Sequence, residues 1–218
     1  MTITLVNRVV LLALFLVFKS GLLISLIRCI ISALSFNEPM RMALKSTIYK
    51  AELQIADMDR HYYAQHSLTL AKHPSETEER LMVRLIAFAL FANESLSFGK
   101  GLSEDDEPDL WQKDLTGAIE LWVNVGLPDE REIRKACGRS QKVAVVLYGG
   151  RVADMWWTQN SKALLKLNHL KVINLPDTDA LTQACSRNMN ISCTIQDGQM
   201  LVGHDNGSFD LSPIVLKS

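Results

Sequence analysis

The chain has 218 residues, a formal net charge of −1 at pH 7 and four cysteines. This length fits one domain with a sizeable core. The balanced charge excludes a globally basic nucleic-acid-binding protein, so any phosphate contact must come from a local patch. The cysteines (Cys29, Cys137, Cys185 and Cys193) show no C-x-x-C spacing, which argues against a structural zinc site and favours reduced thiols.

The first feature along the chain is an apolar segment at residues 9–34, interrupted by Lys19 and Arg28. It exceeds the length of about 20 residues that spans a bilayer. The favourable insertion free energy of its apolar residues exceeds the unfavourable insertion free energy of one central charge. Two interpretations stay open. Either residues 9–34 anchor the protein in a membrane, or translation starts at Met42 and the protein is cytoplasmic. We therefore divide the chain into an N-terminal extension, residues 1–41, and a single domain, residues 42–218.

The first part of this domain predicts a hairpin and a helix. Apolar side chains alternate partially in residues 44–56 and 61–71, which predicts two paired strands. Ser75 and Glu78 have the spacing of a capping box. Apolar residues then recur at helical intervals, which predicts a helix that ends near Asn93.

The second part predicts alternating strands and helices. The strands are expected at residues 118–125, 141–148 and 169–175, and the helices after Pro128 and at 152–167 and 177–187. Pro128 suits a first helical turn and Gly138 a C-cap. The strand–helix–strand order implies parallel crossovers.

The last part predicts antiparallel hairpins, because Asp197-Gly198 and Asn206-Gly207 are two-residue turn signals between short strands. Together these elements predict an α/β fold with an α+β tendency. We expect a mixed sheet with flanking helices, plus antiparallel hairpins.

Several runs of residues resemble one known family: 42–51, 67–77, 105–126 and 195–198. On these runs the chain from Met42 onward is identified as a member of the YaeQ family, and residues 1–41 are not covered. YaeQ proteins are similar in fold to the PD-(D/E)xK nuclease superfamily. The resemblance therefore implies a PD-(D/E)xK nuclease-like core.

The resemblance also implies where a metal centre would lie. In PD-(D/E)xK nucleases an aspartate and a second carboxylate bind Mg²⁺, and a lysine two residues further on orients the attacking water. Mg²⁺ prefers oxygen ligands and activates water, and positions i and i+2 of a strand share a face. Here Pro108-Asp109 matches the PD element, Asn124 occupies the acidic position, and Gly126 occupies the lysine position.

Other residues could compensate for the missing charges. Glu120 shares the strand face but lies about 13 Å from Asn124 along the strand. Glu79 on the first helix is a third carboxylate, and Lys135 or Arg134 could act as a migrated cation. A solvated helix face explains Glu79 equally well, and the helix dipole explains the two cations. The predicted catalytic set is Asp109, Glu120, Asn124, Lys135 and Glu79, of which Asp109, Glu120, Asn124 and Glu79 would bind Mg²⁺ or its substitute Mn²⁺.

A basic run predicts contact with a phosphate backbone, although a solvated helix face is the commoner explanation. It consists of Arg131, Arg134, Lys135 and Arg139. One ring of Trp156-Trp157 is a weaker candidate for base stacking.

Two functions stay open. We favour a non-catalytic or weakly active nuclease-fold protein that binds nucleic acid or a transcription or repair protein. The alternative is a Mg²⁺-dependent nuclease that hydrolyses phosphodiester bonds with a migrated lysine.

Overall fold

The computed structural model describes residues 46–100 and 107–218. Leu44–Ser218 forms one compact unit. The predicted membrane segment at residues 9–34 lies outside the described residues. In the part of the chain that the structure describes, no helix has the length and apolar character needed to cross a membrane.

Eleven strands and four helices are present in the described residues. The strands are β1 Thr47–Asp57, β2 Tyr62–Lys72, β3 Leu96–Phe98, β4 Leu110–Lys113, β5 Ile119–Val125, β6 Ser140–Tyr148, β7 Leu170–Leu175, β8 Asn188–Gln196, β9 Gln199–His204, β10 Gly207–Leu211 and β11 Ile214–Lys217. The helices are α1 Glu78–Phe91, α2 Glu130–Arg139, α3 Arg151–Leu164 and α4 Asp179–Gln183.

The strands form two mixed sheets. The five-stranded sheet has the order β10-β9-β8-β1-β2, and only β1 and β8 pair in parallel within it. The six-stranded sheet has the order β11-β7-β6-β5-β4-β3, with β5, β6 and β7 parallel. The predicted mixed fold with flanking helices, parallel crossovers and C-terminal hairpins is therefore confirmed. The division into two sheets was not predicted.

Helix α1 shares one core with both sheets. Its residues 81–89 are all buried, as expected of a helix that is covered on all sides. Val123 and Val125 of β5 belong to this core. Trp122 of the same strand instead packs in a second core with Ile133 of α2. The alternation of β5 therefore separates an α1 face of the six-stranded sheet from an α2–α3 face.

The predicted start of α1 is wrong by two residues. The N-cap is Thr77, whose hydroxyl accepts the Arg80 N–H at 3.1 Å. The Ser75 hydroxyl lies 2.6 Å from Nδ1 of His73 instead. A hydroxyl at either position suits a cap, and only the backbone path decides between them.

The predicted ends of α2 also need correction. Asp129 caps α2 in a capping box with Glu132, so Pro128 precedes the helix. Gly138 lies inside the helix, and Ser140 is the C-cap. In addition, Leu110–Lys113 forms β4, a strand that was not predicted.

Candidate functional site

Asp109 lies immediately before β4 and is only 6% exposed. Its Oδ2 accepts the backbone N–H of Val125 at 2.7 Å, and its Oδ1 accepts Nη2 of Arg80 at 2.7 Å. Nε of Arg84 lies 3.7 Å from Oδ1. Both carboxylate oxygens therefore have protein partners, and cations on α1 neutralise the charge.

Glu76 connects the same two arginines. It is 4% exposed, and its Oε1 accepts Nη1 of Arg80 at 2.8 Å and Nη1 of Arg84 at 3.0 Å. Burial lowers the pKa of Arg80, but the charges of Asp109 and Glu76 outweigh it and raise the pKa above its usual value. We call Glu76, Arg80, Arg84 and Asp109 the arginine–carboxylate network.

The sequence of α1 explains this network. Arg80 and Arg84 are four residues apart and so lie on one face of the helix. Glu76 directly precedes the N-cap Thr77 and lies four residues before Arg80. Two carboxylates and two guanidiniums cancel in charge, which buried ions require. The Arg84 guanidinium also lies over the Phe98 ring, 5.5 Å from its centroid. Such a contact is favourable for a cation that has lost water.

Asn124 and Gly126 lie on β5 and directly after it. Asn124 Oδ1 accepts the indole N–H of Trp122 at 2.8 Å. Asn124 thus faces the side of α2 and α3, away from the network. Gly126 has a φ of +106° and donates its N–H to Val146. A lysine at this position would be held in a backbone conformation that favours glycine.

The two other predicted carboxylates have partners of their own. Glu120 accepts a hydrogen bond from the Gln112 side chain. Glu79 Oε1 accepts the Thr178 hydroxyl at 2.5 Å. The structure therefore brings neither Glu120 nor Asn124 to the Asp109 carboxylate.

The charged side chains of this region affect the pKa of Tyr148, which lies at the end of β6. Burial raises the pKa of its phenol, Arg80 opposes the rise, and the carboxylates of Glu79, Asp109 and Glu76 add to it. Glu79 and Asp109 thus act on one phenol. In the described ranges, no three acidic, histidine or cysteine side chains are grouped so that they could hold a metal ion. Acidic residues 104–106 lie outside those ranges, and the Mg²⁺ site stays a prediction.

The basic run lies on α2. Arg131, Lys135 and Arg139 are exposed and recur every four residues, so they follow one face of the helix. We call these three residues the basic ridge. Arg134 is also exposed but pairs with Glu130, its Nε lying 2.7 Å from Oε1.

Sequence reasoning missed Glu76, Arg80, Arg84 and Tyr148. One signal was available, because Arg84 interrupts the otherwise apolar run of residues 81–89. A charge inside a helix that is apolar on all sides needs a buried partner. The sequence contains many carboxylates, however, and the partner cannot be chosen without the fold.

The fold and this network define a mixed α+β protein with two sheets and a neutralised charge cluster beside the central parallel strands. The chain matches the YaeQ protein family over residues 42–213. It belongs to that family. It is 43% identical over 173 residues to the uncharacterized protein YaeQ of Escherichia coli (strain K12), covering 78% of this chain and 96% of that protein.

Solved structures agree with this assignment. The crystal structure of the YaeQ protein from Xanthomonas axonopodis pv. citri has a TM-score of 0.77 and 52% identity, covering 79% of this chain and 99% of that one. The YaeQ protein from Pseudomonas syringae has a TM-score of 0.75 and 35% identity, with coverages of 79% and 97%. The resemblance drawn from the sequence is thereby confirmed.

Proposed function

We propose that this protein is a non-catalytic nucleic-acid-binding protein on the nuclease-like fold that the YaeQ resemblance implies. The observation that carries the proposal is the state of Asp109, whose two oxygens accept from Arg80 and from the Val125 N–H. A Mg²⁺ ligand must offer its oxygen lone pairs to the cation. Here a metal would share a buried carboxylate with the Arg80 guanidinium, whose positive charge opposes the binding of a second cation.

The basic ridge supports the binding part of the proposal. Like charges spaced four residues apart destabilise a helix slightly, and Arg131, Lys135 and Arg139 are all exposed. Such a row of exposed cations suits a row of phosphates, whose neutralisation releases counterions. A protein of the transcription or repair machinery with an acidic surface is the other partner that this ridge suits.

The test compares two triple charge reversals. In one variant Arg131, Lys135 and Arg139 become Glu. In the matched control, three exposed lysines elsewhere (Lys50, Lys162 and Lys166) become Glu, so that both variants change net charge equally. We expect fluorescence anisotropy with labelled DNA and RNA to show salt-sensitive binding by wild type and the control, and weak binding by the ridge variant. Equal affinity of all three proteins would contradict the proposal.

The Mg²⁺-dependent nuclease is a second candidate, supported by the match of Pro108-Asp109 to the PD element that the family resemblance implies. In it, Asp109 and Glu79 would bind the cation and Lys135 would serve as the migrated lysine. Cleavage of any DNA or RNA that requires Mn²⁺ or Mg²⁺ and disappears in Asp109→Asn would favour this candidate. A gain of Mn²⁺ affinity in Asn124→Asp would add Asn124 to its metal site.

A further inference from the structure

A pocket of about 510 Å³ opens beside the C-terminal end of α2. Trp111 of β4, Trp122 and Ile119 of β5, and Arg139 of α2 line it. Trp111 and Trp122 are direct partners across the antiparallel pair of β4 and β5, so both side chains leave the same face of the sheet. Trp122 is 6% exposed, whereas Trp111 is half-buried. The pocket therefore presents one accessible indole beside a fixed one.

Two basic residues, Lys113 and Arg139, lie at this pocket. The Lys113 ammonium lies 3.3 Å from the centroid of the Trp111 ring. Arg139 belongs both to the pocket wall and to the basic ridge, so the ridge ends at the aromatic surface. Glu107 contributes an acid to the wall, and Lys100 Nζ lies 3.5 Å from its carboxylate. An aromatic face thus adjoins a row of cations.

We infer that this pocket holds an unstacked base of a single-stranded nucleic acid, with the neighbouring phosphates on Arg139 and Lys113. The inference rests on the proposed function and specifies the class of nucleic acid. Aromatic side chains bind bases of any sequence by stacking. A duplex keeps its bases stacked, so it cannot fill the pocket unless a base is flipped out.

The contact between Lys113 and Trp111 is compatible with a stacked base. An exposed cation–π contact is weaker than base–aromatic stacking. The base either takes the opposite face of the indole or displaces the ammonium. In both cases Lys113 stays near the phosphate that follows the base.

The first test uses wild-type protein and three ligands with equal numbers of phosphates. These are fluorescein-labelled oligo(dT), an abasic strand of the same length, and a duplex. We expect oligo(dT) to bind most tightly and the abasic strand to bind roughly 5- to 150-fold more weakly, since stacking of one base is lost. Equal affinity for oligo(dT) and the abasic strand would overturn the inference and leave the proposed function intact.

The second test uses tryptophan variants. Trp111→Ala should weaken oligo(dT) binding by the same factor and leave abasic-strand binding unchanged, and Trp111→Phe should restore most of the affinity. Tyr63→Ala is the control, because Tyr63 is an exposed aromatic residue of β2 that does not line the pocket. An unchanged oligo(dT) affinity in folded Trp111→Ala would overturn the inference. If that variant does not fold, the abasic-strand comparison with wild type decides.

The remaining outcomes separate this inference from the proposed function. Failure of wild-type protein to bind any of the three ligands contradicts both. Displacement of oligo(dT) by poly-glutamate at equal charge concentration, as effectively as by unlabelled oligo(dT), would assign the surface to an acidic polypeptide instead.

Discussion

The two faces of the six-stranded sheet carry their charges in opposite ways. On the α1 face, the arginine–carboxylate network is buried, and its shortest pair is 2.7 Å between Arg80 and Asp109. On the α2–α3 face, the basic ridge is exposed to water. Buried charges must be paired because desolvation is costly, whereas exposed charges keep their hydration until a ligand arrives. The comparison indicates that the charges of the network pair with one another inside the fold, whereas those of the ridge face water.

The largest expected effect comes from removing Glu76, because this leaves Arg80 and Arg84 short of a buried partner. Glu76→Ala should lower the free energy of unfolding by about 3–5 kcal/mol, as measured by urea denaturation. Glu130→Ala is the control, since it removes the exposed partner of Arg134 and should cost below about 1 kcal/mol. Similar decreases in the free energy of unfolding in both variants would contradict the difference between buried, paired charges on one face and exposed charges on the other.

Substitution of Asp109 tests whether this residue stabilises the fold or serves as a metal ligand. Asp109→Ala should destabilise the protein by about 3 kcal/mol, because the Arg80 charge and the Val125 N–H lose a buried acceptor. Asp109→Asn keeps one acceptor oxygen and should cost less. If instead Asp109→Ala unfolds at the same urea concentration as wild type or a higher one, Asp109 is not needed for stability and a metal site becomes the better explanation.

A smaller effect is expected at the ridge. Arg139→Ala should lower the free energy of unfolding by no more than about 1 kcal/mol, as for other exposed charges. It should reduce the slope of log Kobs against log salt by about 0.7 for single strands. Anisotropy titrations at several salt concentrations measure this slope. Lys166→Ala, at an exposed position outside α2, should leave it unchanged. Equal slopes for Arg139→Ala and wild type would remove Arg139 from the phosphate-binding surface.

The smallest effect concerns His66, which lies against Phe88 with a ring-centroid distance of 5.1 Å. Burial lowers the pKa of this imidazole below its usual 6.5. The unfolded chain therefore binds the proton more readily, so stability is fully present above about pH 6.5 and declines as the pH falls through the lower folded pKa. His66→Gln should flatten this part of the stability–pH profile. A profile as steep as that of wild type would exclude His66 as its source.

The sequence predicted individual helices and strands better than it predicted which strands pair with one another. The β1–β2 hairpin, α1 and the strands and helices from β5 to β7 follow from apolar periodicity, which neighbouring residues encode together. The insertion of β8 beside β1 was not predicted, because these strands pair residues such as Lys50 and Asn188 that are distant in sequence. Their parallel pairing leaves no turn signal between them.

The same limit applies to the candidate site. The selection of Asp109 as a metal ligand stays a prediction, whereas strand alternation correctly placed Trp122 and Asn124 on one face of β5. It did not show that α1 covers the other face of β5. The partners of Asp109 could therefore not be identified as Arg80 and Arg84.

The sequence by itself determined the family, the mixed fold, most helices and strands, and the basic run on α2, since each depends on short motifs, periodicity or turn chemistry. Only the tertiary structure decided that Asp109 is neutralised and that Trp111 and Arg139 line one pocket. Both arrangements join elements that are separated along the chain, and their existence depends on how sheets and helices pack. Local physical chemistry sets the elements, while burial and long-range packing set the environment of each charge.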